Sequence, residues 1–133
     1  ELERLAREQL VEYVHNAIEL LEGMYRIDSV YLIGFSQGGS ASYLTAISRP
    51  GDIEGIVVFG GGLPQEWFTP GEISAASGLR VFIAHGTEDG IENALAARDL
   101  LEEGGIDVTF REFEGGHFIH LDTLHEAVGW IRQ

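Results

Sequence analysis

Ser29-Val30-Tyr31-Leu32-Ile33-Gly34-Phe35-Ser36-Gln37-Gly38-Gly39 is the stretch whose reading decides the fold. Val30 to Ile33 form a short unbroken apolar run rich in β-formers, the pattern of a strand covered on both faces. Gly34-Phe35-Ser36-Gln37-Gly38 follows and matches G-x-S-x-G, the sharp strand-to-helix turn that lifts a serine hydroxyl above a sheet. Gly34 and Gly38 are expected to keep Cβ atoms away from the place where the strand and helix backbones approach. The helix that opens near Gly38 and continues through Ser40–Ser48 aims its N-terminal amides at Ser36, which suits a developing negative charge. In a chain with 18 glycines an accidental match is the competing explanation. Few accidental matches would sit between an apolar strand and a helix-compatible segment, as this one does.

On the N-terminal side, residues Glu1 to Met24 read as an amphipathic helix. Leu2, Leu5, Val11, Val14, Ile18 and Leu21 fall near one face, with Glu and Arg opposite. His15 within it reads as a surface or boundary residue. On the C-terminal side, Pro50-Gly51 closes the elbow helix, and Ile53–Phe59 is a second strand with Ile56–Phe59 as its buried run. Gly60-Gly61-Gly62-Leu63-Pro64 breaks that strand, and a loop with Trp67, Phe68 and Pro70 follows. Leu79–Ala84 is a third strand, ending in the loop His85–Gly90. Ile91–Glu103 is a helix closed by Gly104-Gly105. Ile106–Phe113 is a fourth strand whose alternation of Ile106, Val108 and Phe110 with Asp107, Thr109 and Arg111 marks a half-exposed edge. Leu121, Leu124, Val128 and Ile131 line a closing helix.

Strands alternating with helices imply right-handed crossovers and a parallel sheet of about four strands flanked by helices, an α/β domain over residues 1–133. Placed side by side in chain order, the strands leave the apolar Val30–Ile33 strand at an open edge. That edge is expected to be covered, by a second copy of the chain in a homodimer or by a missing N-terminal segment.

Composition removes whole classes of function. The 133 residues contain no cysteine, which excludes disulfides, thiolate catalysis and cysteine-bound metals. A formal charge of −14 argues against a nucleic-acid or anionic-membrane surface. No apolar run reaches the length of a membrane span, and no signal peptide is visible. A cytoplasmic location is the expectation, with secretion left open because the chain opens at Glu1. Five histidines accompany many carboxylates, yet no H-E-x-x-H or similar spacing occurs, so neither a metal nor another cofactor is expected.

In a parallel sheet the working residues gather beyond the C-terminal ends of the strands. Ser36, Asp89 and His117 occupy three such loops, in the order serine, acid, histidine used by α/β-hydrolases. In acyl transfer His117 would take the proton of Ser36, and Asp89 would hold the imidazole's tautomer and stabilise the imidazolium. The backbone amide of Gln37 would donate to the oxyanion. Glu88 competes with Asp89 for the acid's role. His85 reads as structural, bonding the loop backbone, and His120 and His125 read as solvated.

Three stretches, Gly34-Phe35-Ser36-Gln37-Gly38-Gly39, His85-Gly86-Thr87-Glu88-Asp89 and Gly115-Gly116-His117, resemble the phospholipase/carboxylesterase family of α/β-hydrolases, which includes the acyl-protein thioesterases. Gly61-Gly62-Leu63-Pro64 looks like that family's loop near the acyl pocket. The resemblance runs the length of the chain and implies a serine esterase with a three-layer α/β-hydrolase-like fold. Family members carry further strands before the helix that opens this chain, and a His-Gly-containing loop there supplies the other oxyanion donor. The chain is therefore expected to be the C-terminal portion of such a fold or a minimal version of it.

The leading expectation is a carboxylesterase acting on small esters of short or medium acyl chains, with Leu63, Trp67 and Phe68 supplying apolar surface for the acyl group. Those three residues read equally well as core. Thioesterase or lysophospholipase activity would use the same machinery, and a dipeptidyl-peptidase-like enzyme shares the residue order. From another class comes a non-catalytic module that keeps the three residues without a complete oxyanion hole.

Overall fold

Helix and strand alternate along the computed structural model, which describes residues 2–133. Helix α1 spans Leu2–Met24, strand β1 Tyr31–Phe35, helix α2 Gln37–Ser48 and strand β2 Gly55–Phe59. A 3-10 turn at Gln65–Trp67 and a short helix α3 at Pro70–Ala75 precede strand β3 at Arg80–Gly86. Helix α4 (Ile91–Glu103), strand β4 (Asp107–Phe113) and helix α5 (Leu121–Ile131) complete the chain. Glu1, placed in the first helix by the sequence pattern, lies outside the described residues.

The four strands are parallel and lie in the order β1-β2-β3-β4, as simple right-handed crossovers require. Ile33 is in register with Val57, and Val57 with Phe82. Because side chains alternate, each central strand feeds two cores. Ile56, Val58, Val81 and Ile83 face the side held by α2 and α4, where they join Tyr43, Ile47, Ala97 and Leu101. Val57, Phe59, Phe82 and Ala84 face α5, where they meet Ala127 and Trp130. The result is three layers, with α1 laid against α2 through Val11, His15 and Ile18.

Three local outcomes depart from expectation. Helix α3 stands where the sequence pattern gives a loop, and Thr69 and Glu72 close a capping box around Pro70 at its start. Strand β3 continues through His85 and Gly86, which the sequence pattern assigns to a loop. His15 is buried at 4% exposure rather than at the surface. Its Nε2 donates to the Thr45 carbonyl at 3.0 Å, and its Nδ1 lies 2.9 Å from the Asp52 carboxylate. A polar ring on the apolar stripe of α1 is thus stitched to the last turn of α2.

Strand β4 is an edge, with Arg111 and Glu112 exposed. Strand β1 is the other edge and, among the described residues, pairs only with β2. Its apolar run suggests cover on both faces, yet Ile33 is 52% exposed. Alternation puts Tyr31, Ile33 and Phe35 on the α5 face, where Tyr31 meets the edge of Trp130 at 5.9 Å.

Candidate active site

Ser36 stands between β1 and α2 with φ 58° and ψ −121°, the only non-glycine residue of positive φ among the described residues. L-residues adopt such backbone reluctantly, and the strain persists only where surroundings over-determine it. Here the Ser36 N–H donates to the Phe59 carbonyl at 2.8 Å. The Ser36 carbonyl accepts from Gly39 and Ser40 at 3.0 and 3.2 Å. A Cβ at Gly34 would collide with the Gly38 carbonyl, as the spacing of the motif demands. Gly38 itself has no such role, because a Cβ there would meet nothing within 4 Å. The close approach falls on Gly39 instead, where a Cβ would lie 2.8 Å from Val58 Cγ1 and 3.1 Å from Gly61 Cα.

The loops after β3 and β4 are sewn together by backbone. Thr87 N–H donates to the Phe113 carbonyl at 2.9 Å and Glu88 N–H to the Gly115 carbonyl at 2.8 Å. Gly86 is packed so tightly that a Cβ would overlap the carbonyls of Gly115 and Gly116. This stitching brings Asp89 and His117, 28 residues apart, to 2.7 Å between Oδ2 and Nδ1. The other ring nitrogen, Nε2, lies 3.0 Å from Ser36 Oγ. One tautomer satisfies both contacts: Nδ1–H donates to the carboxylate while Nε2 accepts from the serine hydroxyl. The Glu88 side chain is exposed, and the imidazole's carboxylate partner is Asp89.

His85 is buried at the end of β3, where its Nε2 donates to the Asp89 carbonyl. That bond fixes the backbone of the acid's loop, in line with a structural reading. His120 is not a solvated bystander: its Nδ1 accepts from the Thr123 N–H and caps α5, and its ring stacks on Phe113 at 5.0 Å and 7°. His125 is exposed on α5. Among the described residues no group of three or more His, Asp or Glu could hold a metal ion. No helix among them is long and apolar enough to cross a membrane.

Two residues that sequence reasoning left unassigned frame the imidazole. The Phe35 ring lies against it with centroids 4.8 Å apart and 33° between planes. Gly60, with φ 63°, lies on the Nδ1–Cε1 side of the ring. The sequence signal at Gly60 is the glycine triplet, which by itself marks only the end of a strand. Gln37, the first residue of α2, follows the serine at the helix N-terminus.

The three acyl-contact candidates separate. Trp67 lines a groove of about 590 Å³ together with Gln37, Gly38 and Leu44. Leu63 lines a second cavity of about 380 Å³ that includes Gly60, His85 and Asp89. Phe68 packs half-buried against the core and lines neither.

A probable carboxylesterase from Arabidopsis thaliana, described as SOBER1-like, is 29% identical over 129 residues, covering 92% of this chain and 49% of its own length. Carboxylesterase SOBER1 of the same plant is 30% identical, covering 94% of this chain and 58% of its own. The SOBER1 crystal structure superposes with a TM-score of 0.79 over 92% of this chain and 61% of that one, at 29% identity. Zea mays acyl-protein thioesterase 2 shares the fold at a TM-score of 0.75 and 19% identity, over 95% of this chain and 64% of its own. The chain spans about half the length of the curated relatives it matches. The match to the phospholipase/carboxylesterase family takes in residues 5–133, and the chain belongs to that family.

Proposed function

We propose that this chain carries the catalytic serine, acid and base of a carboxylesterase for short or medium acyl chains. The observation that carries the reading is the line from Ser36 Oγ to His117 Nε2 to Asp89, at 3.0 and 2.7 Å, beside a serine held at positive φ. In this mechanism His117 takes the hydroxyl proton as Ser36 Oγ attacks the ester carbonyl carbon. The N–H of Gln37 donates to the oxygen that becomes negative. Collapse of the tetrahedral intermediate expels the alcohol, which receives its proton from His117, and leaves an acyl-serine. Water, deprotonated by the same imidazole, releases the acid and restores the serine. Asp89 holds the imidazole's orientation and stabilises its charged form throughout.

Thioesters and lysophospholipids would react through the same steps, and a relative from Eremothecium gossypii named acyl-protein thioesterase 1, 27% identical over 111 residues, favours the first of these. The dipeptidyl-peptidase-like reading rests on the order of the three residues alone and ranks below them. Leu63 and Trp67 are the acyl contacts retained, Leu63 on the Asp89 side and Trp67 on the Gln37 side.

A second reading rests on the exposed edge of β1. The backbone groups facing away from β2 and the exposed Ile33 together make a strand template. We propose that a further strand pairs there, from a second copy of this chain or from sequence N-terminal to it. The non-catalytic module belongs to this reading, with association as its function.

A fluorophosphonate probe and p-nitrophenyl butyrate test the esterase. The chain is expected to be labelled once, at Ser36, and to release p-nitrophenol, with both signals lost in Ser36→Ala. Equal labelling of parent and Ser36→Ala would refute the assignment of the nucleophile.

A further inference from the structure

The groove beside the nucleophile's helix carries a charge that an acyl pocket does not require. Its walls include Leu10 of α1, Leu44 of α2, Pro64 and Trp67, and Gln37, the residue after Ser36, lines it too. At about 590 Å³ it falls within the size of small-molecule sites. Among these walls stands Arg7, its guanidinium carbon 5.7 Å from the centroid of the Trp67 ring. The contact is a cation–π pair that fixes the guanidinium over the ring. The anion Arg7 meets is Glu3, at 3.6 Å on the same helix, and that carboxylate is 85% exposed. A pair so exposed is worth little and is readily exchanged.

Filling this groove with a wholly apolar chain would strip water from Arg7 without supplying a counter-charge, which is costly. A chain with an apolar body and an anionic end satisfies both walls and cation. It can displace Glu3 and accept a two-pronged hydrogen bond from the guanidinium. The net charge of −14 opposes anions at long range, but salt screens that repulsion over about 8 Å at physiological strength while the contact itself persists.

We infer that Arg7 and Trp67 make this groove a subsite for acyl chains ending in a carboxylate, so that half-esters of dicarboxylic acids are preferred over neutral esters of equal length. This rests on the esterase reading for turnover, whereas binding to the groove does not. The test therefore has two arms at 0.15 M salt. In the Ser36→Ala protein, methyl hydrogen glutarate is titrated while tryptophan fluorescence is followed, with methyl butyrate as the neutral comparison. In the parent, kcat/KM is compared for p-nitrophenyl hydrogen glutarate and p-nitrophenyl butyrate.

Methyl hydrogen glutarate is expected to bind and to change the Trp67 signal. Arg7→Gln should weaken that binding about tenfold and lower the glutarate-to-butyrate ratio by the same factor, while Arg7→Lys retains part of both. Circular dichroism checks that the variants are folded, and the binding arm on the Ser36→Ala protein does not depend on them. Failure of methyl hydrogen glutarate to bind, or an equal loss for both esters in Arg7→Gln, overturns the inference. Binding without turnover of either ester would retain the subsite and count against the esterase reading alone.

Discussion

Gly60 lies against the imidazole of His117 so closely that a Cβ there would stand 3.0 Å from both Nδ1 and Cε1, and 3.5 Å from Asp89 Oδ2. The residue sits at φ 63°, where glycine has no steric cost. Gly60→Ala is expected to lose about 1–2 kcal/mol of stability from the left-handed backbone. The methyl group also pushes the ring off the line between Ser36 and Asp89, and a misplacement of about 1 Å costs on the order of 100-fold in rate. Fluorophosphonate labelling rates with thermal melts check both parts. A variant labelled at the parent's rate would show that the ring tolerates the shift.

The two glycines of the serine motif are expected to respond oppositely. Gly34→Ala drives a methyl group into the Gly38 carbonyl and to 2.6 Å from Ser42 Oγ, so the elbow must open. A loss of about 3 kcal/mol is expected, as for a tightly overpacked site. Gly38→Ala meets open space in a helix and should leave stability unchanged or raise it by up to about 1 kcal/mol. Urea unfolding of the pair decides the matter, and equal losses would contradict the packing described.

Tyr43 is fully buried on α2, and its hydroxyl has no hydrogen-bond partner among the described residues. Burial raises its pKa well above the usual tyrosine value of about 10. The folded state therefore keeps a proton that the unfolded chain releases. The resulting stability is complete below about pH 10 and is lost as pH rises above it. Tyr43→Phe removes an unpaired polar group, so it is expected to be neutral or stabilising at pH 7 and to flatten the alkaline decline. Melting temperatures between pH 8 and 11 test this; a steeper decline in the variant would be the contrary result.

Ile33 is the apolar centre of the open edge strand. The parent chain at tens of micromolar is expected to sediment above its 14.6 kDa monomer mass, and Ile33→Lys to return it to that mass. A monomeric parent whose β1 amides exchange slowly would remove the need for a partner strand.

Sequence alone determined the alternation of strand and helix, because the signals are local: unbroken apolar runs in β2 and β3, a two-residue alternation in β4, and a 3.6-residue period along α1 and α5. It also placed Ser36, Asp89 and His117 at the C-terminal ends of strands, since a parallel sheet collects such loops on one side. Helix α3 has a local signal in Thr69, Pro70 and Glu72, but with Ile73 as its buried residue it has no apolar stripe for periodicity to show. Other features had no local signal. His15 repeats the spacing of Val11 and Ile18, but its burial depends on the Thr45 carbonyl, 30 residues away in a different helix. Gly38 has the place in the motif expected of a close contact, while Gly39 makes that contact because Val58 and Gly61 come from the neighbouring strand and its loop. The exposure of Ile33 goes with the place of β1 at the edge of the sheet, and the cation in the groove with the packing of α1 beside α2. Each of these depends on the distance between elements remote in the chain, which tertiary packing sets and local periodicity does not encode.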